Sequence, residues 1–298
     1  MPPTRLLITT PTGNVGLETL RSLQRHPKRA SLQLVAAVRH PNRDPAQLDD
    51  LADEYVPFDF ENPATFGPAL AGVDKLLLVR PPQLADVGRY FAPLIDAIRQ
   101  AGSPQVVFLS LQGVENNPVT PHHKIEKLIT DAGIPYTFLR PSFFMQNLST
   151  THRREIAERN EIFVPAGAGR TSFIDVRDIA EVAALALATD DHRHKAYELT
   201  GSEALTYAEV AQVLTAVLGR PITYANPSAL RFIWRKWITE KMPLNFVLVM
   251  VALYTVSKLG KAAGLTGELA ELLGRPPIRF RQFAEDYSDV WAPAVSPS

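Results

Sequence analysis

The sequence predicts an α/β fold, a doubly wound parallel sheet with a smaller, mostly helical C-terminal domain, and three observations carry that expectation. Short β-branched or Leu-rich runs alternate with helical patterns over the first 148 residues. Those runs show little in/out alternation, as expected of strands covered on both faces. Beyond residue 148 the texture changes, and after Asp190 it becomes mostly helical and rich in Trp, Phe and Met.

Taken in order, "RLLITT" reads as the first strand and "NVGLETLRSLQRH" as the first helix. "LQLVAAVR", "YVPFDF" and "KLLLV" follow as strands two to four, then the helix "YFAPLIDAIRQAG" and the fifth strand "QVVFLSL". "KIEKLITDAG" sets Ile125, Leu128 and Ile129 at helical spacing, with Gly133 placed to end the helix, and "PYTFLRP" is the sixth strand. "STTHRREIAERN" is a polar helix and "PAGAGR" a loop. "TSFIDVRDIAEVAALALAT" reads as a strand running into a helix, so residues 171–190 are expected to return to the first domain, 1–148. The smaller domain then comprises 149–170 and 191–298, with a helix from Tyr207 to Leu218, and is expected to close over the carboxyl ends of the strands.

Composition narrows the function. The 31 basic and 31 acidic residues cancel, so no whole-chain field favours nucleic acid or an anionic membrane. Absence of cysteine excludes disulfides, thiolate metal sites and a Cys nucleophile, and suits a reducing compartment. "MPPTRLLITTPTG" has an apolar run too short for a secretory h-region, so a cytoplasmic location is expected. The longest apolar stretch, Phe246 to Val256, is too short to span a bilayer and reads as a buried helix. An interfacial membrane helix or a dimer contact is the alternative, because Lys258 and Lys261 follow it.

"TTPTGNVG", between the first strand and the first helix, has the place of a phosphate-binding turn. Gly13 lets the backbone approach a pyrophosphate and Gly16 permits close helix–strand packing. The amides that begin the helix, from Asn14 and Val15 onward, attract the anion, and Thr12 borders it. Thr10 stands where a dinucleotide fingerprint has its first glycine, so this residue must turn the chain while carrying a side chain whose hydroxyl can reach phosphate.

The other strand ends supply the rest of a nucleotide site. Arg39, with His40 and Arg43 behind it, stands at the tip of strand two, where a basic residue suits the 2′-phosphate of NADP and an acidic one the ribose of NAD. NADP(H) is therefore expected over NAD(H). Asp59 is placed to accept from the adenine amino group with Phe60 against the ring, and Val79, Arg80 and Pro81 to border the riboses. After strand six, "RPSFFMQN" sets Pro141 and Phe143 beside the cofactor, and Phe143, Phe144 and Met145 offer an apolar wall for a flat substrate, with Asn147 supplying an amide. Trp234, Trp237 and Phe246 fit either that cleft or the core.

With these residues in hand, the chain resembles the NmrA-like atypical short-chain dehydrogenase/reductase family, including its NADPH:quinone oxidoreductase branch. The likeness runs the full length, through "TGNVG", "PHHKIEKLITDAGIPYTFLRPSFFMQNL", "FIDVRDIAEVAALAL", "YELTGSEALTYAEVAQVLTAVLGRPITY" and "GRPPIRFRQFAEDY". It implies a Rossmann domain, NADP(H) binding and a small C-terminal substrate domain. Short-chain dehydrogenases use a Tyr-x-x-x-Lys pair, yet no Tyr occurs between Tyr90 and Tyr136, so that mechanism does not carry over. The resemblance instead points to His122, four residues before Glu126 on one helix face, as a group able to bind the nicotinamide ribose or relay a proton. His123 and Lys124 are alternatives, and Ser110 ends strand five where the dehydrogenases keep a catalytic serine.

Other chemistries lack their parts. His122 with His123, and His192 with His194 in "DDHRHK", have no third metal ligand evident. No G-x-S-x-G elbow and no P-loop Lys are present. Two readings stay open: an NADPH-dependent reductase of a quinone or a similar small carbonyl or enone, and a non-catalytic NADP(H) redox sensor acting through a protein partner. A small quinone-like substrate is expected, with no nucleic acid and no membrane span, and a homodimer is left open.

Overall fold

The structure is a computed structural model that describes residues 2–40, 48 and 50–292. The chain divides into two compact units, one around Met1–Pro141 and Val176–Leu199, the other around Ser142–Asp175 and Thr200–Ser298.

The first unit opens with β1 (Thr4–Thr9), α1 (Asn14–Gln24), β2 (Leu32–Val38) and β3 (Glu54–Pro57). It continues with α2 (Phe66–Leu70), β4 (Lys75–Val79), α3 (Val87–Tyr90), α4 (Ala92–Gln100), β5 (Gln105–Leu109), α5 (Pro121–Asp131) and β6 (Tyr136–Pro141). The chain then passes through β7 (Phe143–Phe144), α6 (Gln146–Ser149), α7 (Arg153–Arg159), β8 (Glu161–Ile162) and β9 (Arg170–Ile174) of the second unit. It returns with α8 (Val176–Ala188) and β10 (Lys195–Leu199).

Seven strands form one parallel sheet in the order β10-β6-β5-β4-β1-β2-β3. Apolar runs such as "QVVFL" are buried at every position because helices cover both faces. On one face Leu7, Val35, Leu78 and Phe108 pack with Phe66, Leu94, Ile98 and Ile129 of α2, α4 and α5. On the other, α1 lies against α8. Lys75, at the head of the apolar run "KLLLV", is buried, and its ammonium binds the Thr189 carbonyl and Asp190, tying β4 to the end of α8. Strand order reverses between β1 and its neighbours β2 and β4, and ligands of open α/β sheets bind at such a switch point, beyond the carboxyl ends.

Two boundaries differ from the sequence reading. β10, expected in the smaller domain, pairs with β6 from Lys195↔Thr137 to Leu199↔Pro141. As the sheet's edge it needs little apolar side chain, so nothing in "KAYEL" marks it as part of a buried sheet. β9, expected to return with α8, instead pairs with β7 in the second unit.

That unit adds β11 (Ala204–Thr206), α9 (Tyr207–Leu218), β12 (Thr223–Tyr224), α10 (Ala229–Ile233), α11 (Leu244–Lys258), α12 (Glu268–Leu273) and α13 (Phe280–Asp286). α9 begins where Thr206 and Glu209 form a reciprocal capping box and ends at Gly219 with φ 64°. Phe173, Tyr207, Phe232, Phe280, Phe283 and Trp291 centre its aromatic core. Between α10 and α11 lies a π-helical turn, Trp234–Thr239. α11 holds the longest apolar stretch, but only Val247, Met250, Tyr254 and Ser257 are buried, which corrects the expectation of a buried helix. No helix among the described residues is long and apolar enough to cross a membrane.

Candidate cofactor site

The first unit assembles the nucleotide-site residues at the carboxyl ends of its strands. Thr9, the last residue of β1, donates from Oγ1 to the Leu77 carbonyl (2.9 Å) and accepts from the Val79 amide (3.0 Å), clamping β1 to β4. Sequence reasoning missed this residue, whose only signal is a hydroxyl just before the turn. Thr10 then adopts φ 48°, left-handed backbone that costs a non-glycine residue about 1–3 kcal/mol. Its carbonyl accepts from the Gly13 amide at 2.9 Å, closing the turn.

The turn leaves an open anion cradle. Gly13, the N-cap of α1, brings no side chain to the helix start, and the first turn carries no acidic residue. A Cβ on Gly16 would stand 2.3 Å from the Thr10 carbonyl oxygen, and one on Gly13 3.3 Å from it. Thr12 and Asn14 are exposed while Val15 is buried. Thr10 Oγ1 is buried with no hydrogen-bond partner among the described residues. An unpartnered hydroxyl beside free helix-start amides fits a bound diphosphate, because each is a donor that needs an acceptor.

At the tip of β2, Arg39 is exposed and its guanidinium meets no carboxylate among the described residues. Arg43 lies outside the described residues. Asp59 Oδ1 accepts from the Glu61 amide at 3.0 Å, so part of its capacity caps its own turn. Phe60 does not offer an open platform. It is buried, edge-on to Phe58 at 4.9 Å and tilted against Phe91 at 5.5 Å, so the aromatic core claims the ring that the sequence reading set against adenine.

Beyond β4, Arg80 Nη1 donates to the carbonyls of Pro81 (3.0 Å), Pro82 (3.0 Å) and Leu84 (3.2 Å), shaping the loop that follows. Its Nε points at His122 Nε2, 3.5 Å away. Burial first, and the Arg80 charge second, push the His122 pKa from 6.5 down to about 3. A neutral imidazole whose Nε2 faces a donor carries its proton on Nδ1. His122 can therefore donate from Nδ1 to a ribose hydroxyl or carbonyl oxygen, but it is not an imidazolium acid near neutral pH. Glu126 does not pair with it: the buried Glu126 carboxylate is held by Arg140 at 3.1 and 2.7 Å. Of the alternatives, His123 Nδ1 donates to the Val114 carbonyl (3.0 Å) and Lys124 is exposed.

Ser110 follows β5. Its amide donates to Leu139 at 2.7 Å, and its Oγ is buried without a partner among the described residues, the second orphaned hydroxyl at this end of the sheet. Pro141 is buried and its carbonyl accepts from the Gln112 amide at 3.0 Å.

The depressed His122 pKa has a consequence for stability. Between pH 6.5 and about 3 the unfolded chain binds a proton that the native imidazole refuses, so stability falls as pH drops through that window. Thermal midpoints of wild type and His122→Asn, measured from pH 7 to 5, are expected to converge as pH falls. Parallel curves would contradict the burial of a neutral His122.

The substrate-side residues sit in the second unit. Phe143 and Phe144 are half-buried on β7, paired with Phe173 and Ile174. Met145 is fully buried in that unit's core, its amide donating to Ile174 at 2.9 Å, so it packs the interior and presents no wall. Asn147 is exposed, Trp234 and Trp237 are exposed, and Phe246 is half-buried against the core.

Residues 3–269 match the NmrA-like family model. The chain is an NmrA-like protein. It is 32% identical over 295 residues to the NAD(P)H azoreductase of Xenophilus azovorans, covering 97% of this chain and 100% of that one. The Escherichia coli NADPH-dependent quinone oxidoreductase, solved with NADPH, is 26% identical with a TM-score of 0.82, over 96% of the NmrA-like chain and 99% of its own. The triphenylmethane reductase of Citrobacter, solved with NADP(H), shares the fold at 24% identity and a TM-score of 0.81, over 95% and 99% of the two chains.

Proposed function

We propose that this NmrA-like protein is an NADPH-dependent oxidoreductase that reduces a quinone or a similar small carbonyl or enone. The observation that carries the reading is the pair of buried hydroxyls without a partner among the described residues, Thr10 Oγ1 and Ser110 Oγ, at the carboxyl ends of β1 and β5, the first of them in the turn that leads to the uncapped start of α1. Two relatives support the cofactor and the reaction class: an azoreductase using NAD(P)H and a quinone oxidoreductase solved with NADPH.

In this reading the amides of Asn14, Val15 and Gly16 and the Thr10 hydroxyl hold the diphosphate, and the Arg39 guanidinium meets the 2′-phosphate. His122 donates from Nδ1 to the nicotinamide ribose or to the acceptor oxygen, and Ser110 donates to the same region. NADPH, when bound, supplies the hydride. Reduction of a quinone asks little acid catalysis of the protein, so lack of a Tyr-x-x-x-Lys pair does not stop it.

The test is oxidation of NADPH by the purified protein, with and without a panel of quinones. Turnover well above the enzyme-free rate is expected, and its absence across the panel would overturn the reading. His122→Ala is expected to lower the rate while NADPH still binds. Because His122 stays neutral above about pH 3, no rate change from its titration is expected between pH 5 and 8.

Coenzyme choice is tested at Arg39. A charge-assisted hydrogen bond contributes about 1.5–3 kcal/mol, so Arg39→Ala is expected to weaken NADPH binding about 10- to 100-fold and leave NADH binding nearly unchanged. Equal losses for both coenzymes would remove Arg39 from the 2′-phosphate.

A further inference from the structure

The second unit shows water an apolar surface that its own fold does not explain. Of the exposed large apolar side chains among the described residues, all but Val119 fall between Leu230 and Leu265. On α11, Leu244, Leu248, Val249, Leu253 and Val256 form one continuous stripe opposite the buried Val247, Met250, Tyr254 and Ser257. A helix on a protein surface ordinarily turns charges outward, yet no charged residue occurs between Lys241 and Lys258.

The π-helical turn before α11 is built to present the same chemistry. Lys236 is fully buried, binding Glu155 and, at 2.9 Å, Glu240. Arg235 binds Glu161 at 2.6 Å and Glu240 at 3.2 Å. Every carboxylate near the turn is thus engaged, while Trp234 is 62% exposed and Trp237 and Ile238 stand outside with it. Cations are left over. Between residues 228 and 266 there are six Lys and Arg against one Glu, although the whole chain is balanced. Arg231, Lys241, Lys258 and Lys261 are exposed and none has a carboxylate partner among the described residues.

We propose that this face docks on an anionic lipid surface, with Trp234 and Trp237 at the headgroup level and the outer stripe of α11 against the acyl boundary. Exposed Trp and Leu flanked by unpaired Lys and Arg suit that interface. The charge decides against a second copy of the chain: a two-fold contact through this face would set its cations against one another, whereas anionic headgroups neutralise them. α11, 15 residues and about 22 Å long, lies along the surface and does not cross it.

The test floats the full chain with vesicles of phosphatidylcholine alone and of phosphatidylcholine and phosphatidylglycerol in equal parts, reading tryptophan emission in each. Flotation with the anionic vesicles only is expected, with a blue shift from Trp234 and Trp237, since Trp291 is already buried. Each Lys or Arg near such a surface contributes about 1 kcal/mol, so Lys258→Gln and Lys261→Gln are each expected to lower partitioning about fivefold. Leu248→Ser with Val249→Ser, both exposed, is expected to abolish flotation while NADPH binding stays unchanged. Failure to float with anionic vesicles overturns the proposal. So does equal flotation with both compositions, or sedimentation as a dimer whose Trp234 and Trp237 emission is blue-shifted without lipid.

Discussion

Gly16→Ala is expected to cost NADPH binding about 10- to 100-fold, the worth of a hydrogen bond to a charged group. The added Cβ would stand 2.3 Å from the Thr10 carbonyl oxygen, 2.9 Å from its carbon and 3.0 Å from Pro11 Cα. All three are backbone atoms, so no rotamer relieves the clash and the turn itself must open. That moves the α1 amides and the Thr10 hydroxyl together, and overpacking of this kind also destabilises by about 1–3 kcal/mol. Gly13→Ala meets the Thr10 carbonyl oxygen at 3.3 Å and is expected to lose only a few-fold. Calorimetric titration of both variants, beside their thermal midpoints without ligand, separates binding from folding. Wild-type affinity in Gly16→Ala would show that the turn does not hold the diphosphate.

The largest stability effect is expected at Lys236. Its ammonium is fully buried between Glu155 and Glu240, and the buried Glu155 also lies 3.5 Å from His152. Burial pushes the Glu155 carboxyl up, but His152 and Lys236 outweigh it and hold the pKa at about 2, down from 4.5. Removing one partner of a buried pair costs about 3–5 kcal/mol, because the other charge is left dry and unmatched. Lys236→Met is therefore expected to lower the thermal midpoint by on the order of 10 °C at pH 7. The sign of the pH dependence follows from the lowered pKa. The stabilisation is complete above pH 4.5 and disappears as pH falls towards about 2, so the gap between wild type and variant narrows on acidification. A variant that melts like wild type at pH 7 would contradict the assignment.

Much of the first unit was legible because its physics is local. Strands β1, β2, β4, β5 and β6 each carry a run of apolar residues on both faces of the sheet because helices cover both sides, and a glycine-bearing turn sits between β1 and α1 where the switch point requires it. What escaped depends on partners far along the chain. Arg80 meets His122 across 42 residues, and Glu126 on α5 is taken by Arg140 of the next strand, β6, so the shared helix face of His122 and Glu126 did not make them partners. Phe60 and Met145 read as pocket residues because an aromatic or thioether looks the same in sequence whether it lines a site or fills a core. α11 read as buried for the complementary reason: a helix apolar all round gives no periodicity to tell its outward face. Thr10 posed its question in the sequence, and the left-handed φ of 48° shows a threonine making the turn that glycine would make more easily.

The central claim is that the β1–α1 turn binds the diphosphate of NADP(H), and calorimetric titration of the unmodified chain with NADPH addresses it most directly. One saturable site per chain in the micromolar range is the expected result. No heat of binding with NADPH carried to millimolar concentration would contradict the account.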